Sequence, residues 1–381
     1  MNCQKLPTNY FTLLLLTMLA LTACDSGKTK TNMAQDMNKQ YLLIGSYNNA
    51  EQEGIKVYCF DEEQEEFRYV SGLTGLDNPS FVYPTADGKH VYAVGENVTP
   101  DIATAHTLSF DAAKGELTLL NTQAVGGDAP CNIIVSPDGR WAYTSNYFGA
   151  SITEFPIDSC GLLQEGRVIA FEGKSVDPER QTRPYLHAVN FSLDGKYLLA
   201  DDLGTDRIHL FRNQSPLDES SMLDIAVPEG VGPRHLCFSP DGRRAYLLGE
   251  LSGDVVTLGY DGETFEVLQT LRADSLGAGG SADIHCSPDG QFVYASHRLK
   301  GDGISILKVN PEDGLLEKVG YQPTGIHPRN FTLTQSGKYL LVACRDTDEV
   351  QLYKRDSTTG LLTDTNVRIQ MHQPVCLQWI R

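Results

Sequence analysis

The chain has 381 residues, 41% of them hydrophobic and 21% charged, so it can bury a large core and is not a disordered polyelectrolyte. A formal net charge of −18 repels phosphate backbones, and no Lys/Arg run offsets it, which disfavours nucleic-acid binding. With 35 glycines and 17 tyrosines, the composition favours many strands joined by tight turns.

Residues 11–22 are an apolar stretch of 12, too short to cross a bilayer as a helix. The stretch follows a head carrying Lys5 and precedes small residues, the layout of an export signal. Leu21-Thr22-Ala23-Cys24 is similar to a bacterial lipobox, in which Cys24 is lipidated. Residues 1–23 are therefore read as a lipoprotein signal peptide and 24–39 as a flexible tether. The expected location is outside the cytosol, on the periplasmic or outer surface side, held to a membrane by lipid alone. Plain signal cleavage with an incidental Cys24 is the alternative. Seven later cysteines are scattered without a C-x-x-C pair, an odd number that cannot pair fully, and buried free thiols are expected.

From residue 40 onward the chain repeats. Six segments carry an apolar run, a turn ending in Gly, a basic or polar residue and a second apolar run: 81–96, 133–147, 189–203, 236–250, 284–298 and 331–345. Their turn glycines are spaced by 51, 56, 47, 48 and 47 residues. Asp-Gly between apolar runs signals a hairpin, and a repeat near 50 residues with several strands signals a propeller. A second hairpin follows each unit, starting near Ile55, His106, Ile152, Ile208, Val255, Ile304 and Val350, which makes seven. Two orphan strands, Tyr41–Tyr47 and Val375–Ile380, complete a seventh inner hairpin if they pair. The expected fold is all-β, a seven-bladed propeller of four-stranded blades over 40–381, closed by its two terminal strands.

Topology then gathers residues on one face. Those just before each first strand (His187, Arg234, His235, Asp283, His285, Arg329) meet those just after each second strand (Glu96, Asn146, Tyr147, Asp202, Glu250, Arg298, Arg345) around the central tunnel. The opposite face receives the Asp-Gly turns. A ligand is expected at the polar mouth. Tyr92, Tyr143, Tyr197, Tyr246, Tyr294 and Tyr339 recur at one repeat position and read as packing between blades. Asp283 and His285 share a strand face, where hydrogen bonding is expected in place of a metal, since no third ligand stands at a recognisable spacing. No Gly-x-Ser-x-Gly elbow, phosphate-cradling loop or His-Glu-x-x-His occurs, so neither a serine hydrolase nor a zinc peptidase is supported.

At these residues the chain resembles a known family. Gly232-Pro233-Arg234-His235, Glu250-Leu251, Ala282-Asp283-Ile284-His285, Pro328-Arg329-Asn330-Phe331 and Asp202-Leu203-Gly204-Thr205-Asp206-Arg207 are similar to motifs of the seven-bladed propeller lactonases. That family includes 6-phosphogluconolactonases of the cycloisomerase-2 type and, in a fungal branch, carboxy-cis,cis-muconate cyclase. The resemblance implies hydrolysis of a sugar lactone, phosphorylated or not, without a cofactor. It implies catalytic roles for His187, Arg234, Glu250 and Arg298, and substrate contacts from His235, Asp283, His285, Arg329, Asn146 and Asp202. Lactone hydrolysis needs a base for water, charge for the oxyanion and a proton for the leaving alkoxide. Glu250 or His187 could be the base, and Arg234 and Arg298 could hold the oxyanion or an anionic group. A muconate-type cycloisomerase and a purely binding propeller are the competing expectations, and an Arg234–Glu250 pair that only locks blades is the bland one.

Overall fold

A computed structural model describes residues 40–99 and 102–380; the signal peptide 1–23, the lipidation site Cys24 and the tether 24–39 lie outside the described residues. Seven four-stranded antiparallel sheets form the blades. Blade I pairs the last strand, Pro374–Ile380, with Gln40–Ser46, and the ring is closed by both ends of the chain. The other six follow in order, their innermost strands being Phe81–Pro84, Pro130–Val135, Leu186–Phe191, Pro233–Phe238, Ser281–Cys286 and Pro328–Leu333.

Burial explains why these runs are apolar on both faces near the axis. The second strand Tyr339–Cys344 is buried at every position, pressed between neighbouring sheets. The outermost Glu116–Ala124 has no buried residue, and its sequence is correspondingly polar. The core is a ring of inter-blade clusters; in one, Tyr246, Leu248 and Val255 of blade V pack on Ile284, Val293 and Ala295 of blade VI.

The Asp-Gly turns form as read. Gly139 takes φ of +72°, and Ser136 donates to Asp138 at 2.6 Å; Ser192–Asp194, Ser239–Asp241 and Ser287–Asp289 repeat the contact. The recurrent tyrosines fall at two positions of one strand face, Tyr197 and Tyr339 two residues earlier than the other four; they pack between blades and also reach across them. Tyr92, Tyr246 and Tyr294 donate to the carbonyls of Gly161, Gly314 and Gly360 in the outer hairpin of the next blade. Tyr143, Tyr197 and Tyr339 bond Ser215, Glu263 and Glu65 in the same way. Tyr41, not recognised in the repeat, supplies the seventh link to Ala112.

Candidate functional site

The inner strands bring polar side chains to the axis through one recurring irregularity. In six of the seven, the register slips near the strand start, leaving Cys131, His187, Arg234, Asp283 with Ala282, Arg329 and Val375 without a partner on the second strand. A bulge of this kind re-aims a side chain out of the alternating pattern. Five of these residues line a small cavity at the mouth, with Ser80, Phe81, Glu96, His235 and Asn330 completing its wall. The cavity holds about 10 Å³, the space of a single water.

Glu250, directly after the second strand of blade V, is the centre of the first cluster. Its Oε2 accepts from Arg234 Nε at 2.8 Å and lies 3.4 Å from Arg298 Nη2, while Oε1 accepts from Arg180 Nη2 at 2.8 Å. Burial opposes the charge of Glu250, but the guanidiniums of Arg298, Arg234 and Arg180 hold its pKa down at about 2. Burial, with the like charges of Arg234 and Arg329, draws Arg298 down to about 9 against the pull of Glu250. Arg234 gives an Nη1 hydrogen to the Ala282 carbonyl, its Nη2 finding no acceptor among the described residues, whereas Arg298 uses all three nitrogens, on the carbonyls of Gly280 and Ser281, on His327 and on Glu250.

Arg329 differs from them. Its Nη2 stands 3.7 Å from Glu96 Oε1 and its guanidinium carbon 5.5 Å over the Tyr47 ring, yet among the described residues the guanidinium donates no hydrogen bond. Glu96 is fixed by the Tyr47 hydroxyl, 2.9 Å from both its oxygens, and by Ser80. Arg329 therefore meets the cavity with donors to spare.

Below the mouth runs a column on Asp283. Its carboxylate takes His235 Nδ1 at 2.7 Å, His285 Nε2 at 3.0 Å, the Asn330 amide and the Phe331 N–H. Burial penalises the charge, but His285 and His235 keep Asp283 ionised far below the usual carboxylate range. An ionised Asp283 requires Nδ1 of His235 to carry the proton, which leaves Nε2 as an acceptor. Burial and Arg234 bring the His235 pKa to about 4, so the ring is neutral. Its Nε2 is buried and has no partner. The His187 ring stands edge-on to His235, centroids 5.2 Å apart, and burial and Arg234 keep it neutral too. Among the described residues no group of three or more His, Cys, Asp and Glu is arranged to hold a metal.

Four expected substrate contacts do not line this cavity, nor do Glu250 and Arg298: Asp283 and His285 stand behind His235, and Asn146 and Asp202 are engaged elsewhere. Asn146 is fully buried and spends its amide on Ser151 and Thr153, its oxygen accepting from Thr144. Asp202 is likewise buried, its oxygens taken by Tyr185 N, Gly204 N, Thr205 Oγ1 and His209. Each side chain meets polar partners within its own blade or the loop beside it, and Asp202 organises the loop at Gly204 and Thr205. Arg345 pairs with Asp346 at the surface. Arg180, Tyr47 and Cys131 were not singled out from sequence. Arg180 lies in the stretch between blades III and IV, and the 56-residue interval from Gly139 to Gly195, the longest of the series, was its only trace.

Three comparisons bear on this arrangement. The family model "Lactonase, 7-bladed beta-propeller" matches residues 41–379. A 6-phosphogluconolactonase from Formosa agariphila is 33% identical over 331 residues, 84% of this chain and 94% of its own. A candidate 6-phosphogluconolactonase structure from Bacteroides fragilis superposes with TM-score 0.86 at 45% identity, covering 90% of this chain and 98% of its own. A periplasmic gluconolactonase from Pseudomonas aeruginosa does so with TM-score 0.83 at 29% identity, covering 90% and 99%.

Proposed function

The chain belongs to the seven-bladed β-propeller lactonase family, and from that premise we propose that it hydrolyses a sugar lactone at the mouth of the ring. The observation that carries the chemistry is the pairing, in one cavity wall, of a neutral His235 with a free Nε2 and of Arg329 with uncommitted donors. A hexose lactone is larger than the cavity, so it lies over the mouth with its carbonyl turned inward. One water fits below it.

His235 Nε2 takes a proton from that water as the oxygen attacks the carbonyl carbon. Asp283 holds the ring in the required tautomer and stabilises the imidazolium that forms, a carboxylate–imidazole arrangement with the logic of a catalytic dyad. Arg329 donates to the oxyanion. Collapse breaks the ring C–O bond, His235 returns its proton to the leaving alkoxide, and a hydroxy acid results. Glu250 is too weak a base for this step, being held near pKa 2 by three guanidiniums; its part is to fix Arg234 and Arg298. His187 is a second neutral imidazole on the same wall.

The test is hydrolysis of freshly generated 6-phosphogluconolactone and of gluconolactone, measured as acid release by the purified protein. His235→Asn keeps a donor for Asp283 and removes Nε2. It is expected to lower the rate by ~10²–10⁴ with the fold intact. No acceleration of either lactone over buffer by the wild type would sink the reading. We infer in addition that the chain is an exported lipoprotein. The apolar 11–22 stretch and Leu21-Thr22-Ala23-Cys24 support this, as does the periplasmic description of the Pseudomonas neighbour.

A further inference from the structure

The mouth has a fourth arginine that none of the family motifs quoted above contains. Arg180 sits on the loop between blades III and IV, and its side chain is 42% exposed at the rim. Its Nη2 reaches Glu250 and, at 3.4 Å, the Tyr147 hydroxyl. Among the described residues its Nε and Nη1 find no acceptor. Three of the five N–H groups of this half-exposed guanidinium are therefore without a protein acceptor.

The loop that carries Arg180 is tied down at several points. Asp177 Oδ1 accepts the backbone N–H of Glu179 and Arg180, closing the turn. Gln181, fully buried, joins the Asp177 N–H to the Leu203 carbonyl. Ser175 donates to Asp206 at 2.6 Å, and Asp206 also takes the N–H groups of Gly230 and Gly232. Gly204 is required where the chain crosses, since a Cβ there would run into the Arg183 carbonyl. Arg180 is thus held at the rim before any ligand arrives, and little ordering cost remains.

Neutralising Glu250 does not explain Arg180. That carboxylate already has Arg234 and Arg298, both buried, within 2.8 and 3.4 Å. The rim around Arg180 is also shaped for a sugar: the Tyr147 and Tyr185 rings lie 5.0 Å apart with Phe148 beside them, next to His187. In a chain of net charge −18, an anionic ligand needs a local guanidinium to overcome the field.

We propose that Arg180 is the receptor for a phosphate monoester on the substrate, so that the site prefers a phosphorylated sugar lactone to its unphosphorylated form. The inference rests on the lactonase reading: Arg329 and His235 act on the carbonyl inside the mouth, and Arg180 grips the far end of the same molecule at the rim. A guanidinium with free donors suits the several acceptor oxygens of a phosphate monoester.

The experiment compares kcat/KM for 6-phosphogluconolactone and gluconolactone in the wild type, Arg180→Ala, Arg180→Lys and Arg183→Ala. It is joined to calorimetric binding of the hydrolysis products 6-phosphogluconate and gluconate. Arg180→Ala is expected to lower the phosphorylated-to-unphosphorylated ratio by about 10- to 100-fold, the worth of a charge-assisted contact, with Arg180→Lys between it and wild type. Arg183, whose guanidinium lies 5.3 Å over the Tyr185 ring, controls for mere charge at the rim, and its removal should move the ratio less than about threefold. The affinity for 6-phosphogluconate should fall with Arg180→Ala more than that for gluconate. Equal losses for both lactones, or equal effects of Arg180→Ala and Arg183→Ala, overturn the proposal. So does a wild type that binds the two products equally. If the wild type hydrolyses neither lactone, the lactonase reading falls, and the calorimetric comparison decides the role of Arg180 alone.

Discussion

Replacing Glu250 by Gln removes one charge and almost no volume from the point where Arg234, Arg298 and Arg180 converge. Burial works against the carboxylate, yet the guanidiniums take its pKa from an ordinary 4.5 to about 2. That displacement corresponds to about 3 kcal/mol in favour of the folded, ionised protein. Because this is an acid with a depressed pKa, the stabilisation is complete above about pH 5 and is lost as the pH falls from about 4.5 through about 2. Glu250→Gln should therefore be less stable than wild type by about 3 kcal/mol at pH 7, and the two should converge near pH 2. Arg298 provides the contrast. Its pKa is lowered to about 9 by burial, so its charge is under-compensated in the fold, and Arg298→Met should cost less than Glu250→Gln at pH 7. Urea unfolding followed by near-ultraviolet circular dichroism, at several pH values from 7 downward, reads both differences. A Glu250→Gln deficit that persists unchanged into acid would refute the electrostatic account, as would an Arg298→Met variant less stable than Glu250→Gln.

Two further outcomes follow from the site and from the N-terminus. Lactonase kcat/KM should be level above about pH 5, and fall as the pH drops through about 4, where His235 takes up a proton and can no longer accept one from water. A profile rising steadily through pH 6–7 would instead point to an unperturbed histidine. Lipid labelling of the full chain should be abolished, and the protein released from membranes, by Cys24→Ser; labelling that survives the substitution excludes the proposed anchor.

The fold was legible because its chemistry is periodic. An Asp-Gly turn needs the positive φ that Gly supplies, so Gly88, Gly139, Gly195, Gly242 and Gly290 mark the same hairpin in five blades, and Gly337 after Ser336 marks a sixth. Ring closure followed from counting strands that lacked a partner. The face bearing the site was legible for the same topological reason. The roles were not, because they depend on departures from the repeat. The bulges at Cys131, Arg234, Arg329 and Val375 leave only a faint mark, a Pro at the strand start in Pro130, Pro233, Pro328 and Pro374, and the one at His187, after Leu186, leaves none. Asp202 and Asn146 lie seven residues after their turn glycines, where Glu250 and Arg298 lie eight after theirs, a one-residue offset that matches them to Gly249 and His297 and that a list of strand-end polar residues passes over. Tyr41 escaped recognition because the strand that carries it is separated in sequence from the one it pairs with.

What separates the arginines of this mouth is the acceptors they have already met. Arg234 is the most buried, with 1% of its side chain exposed; it gives Nε to Glu250 and Nη1 to the Ala282 carbonyl and keeps Nη2, while Arg298 has all three nitrogens engaged. Breaking those contacts to bind a ligand would leave buried carbonyls bare, at a cost of about 1–3 kcal/mol for each group. Arg329 and Arg180 incur no such penalty, since their free donors have no protein partner to abandon among the described residues. The buried pair therefore acts as a scaffold: it fixes Glu250, which holds Arg180 by one nitrogen and leaves the rest of its fork open. The arginine with all its donors left is the inner one beside Glu96, and the one that presents its fork at the exposed rim comes from the loop between blades III and IV.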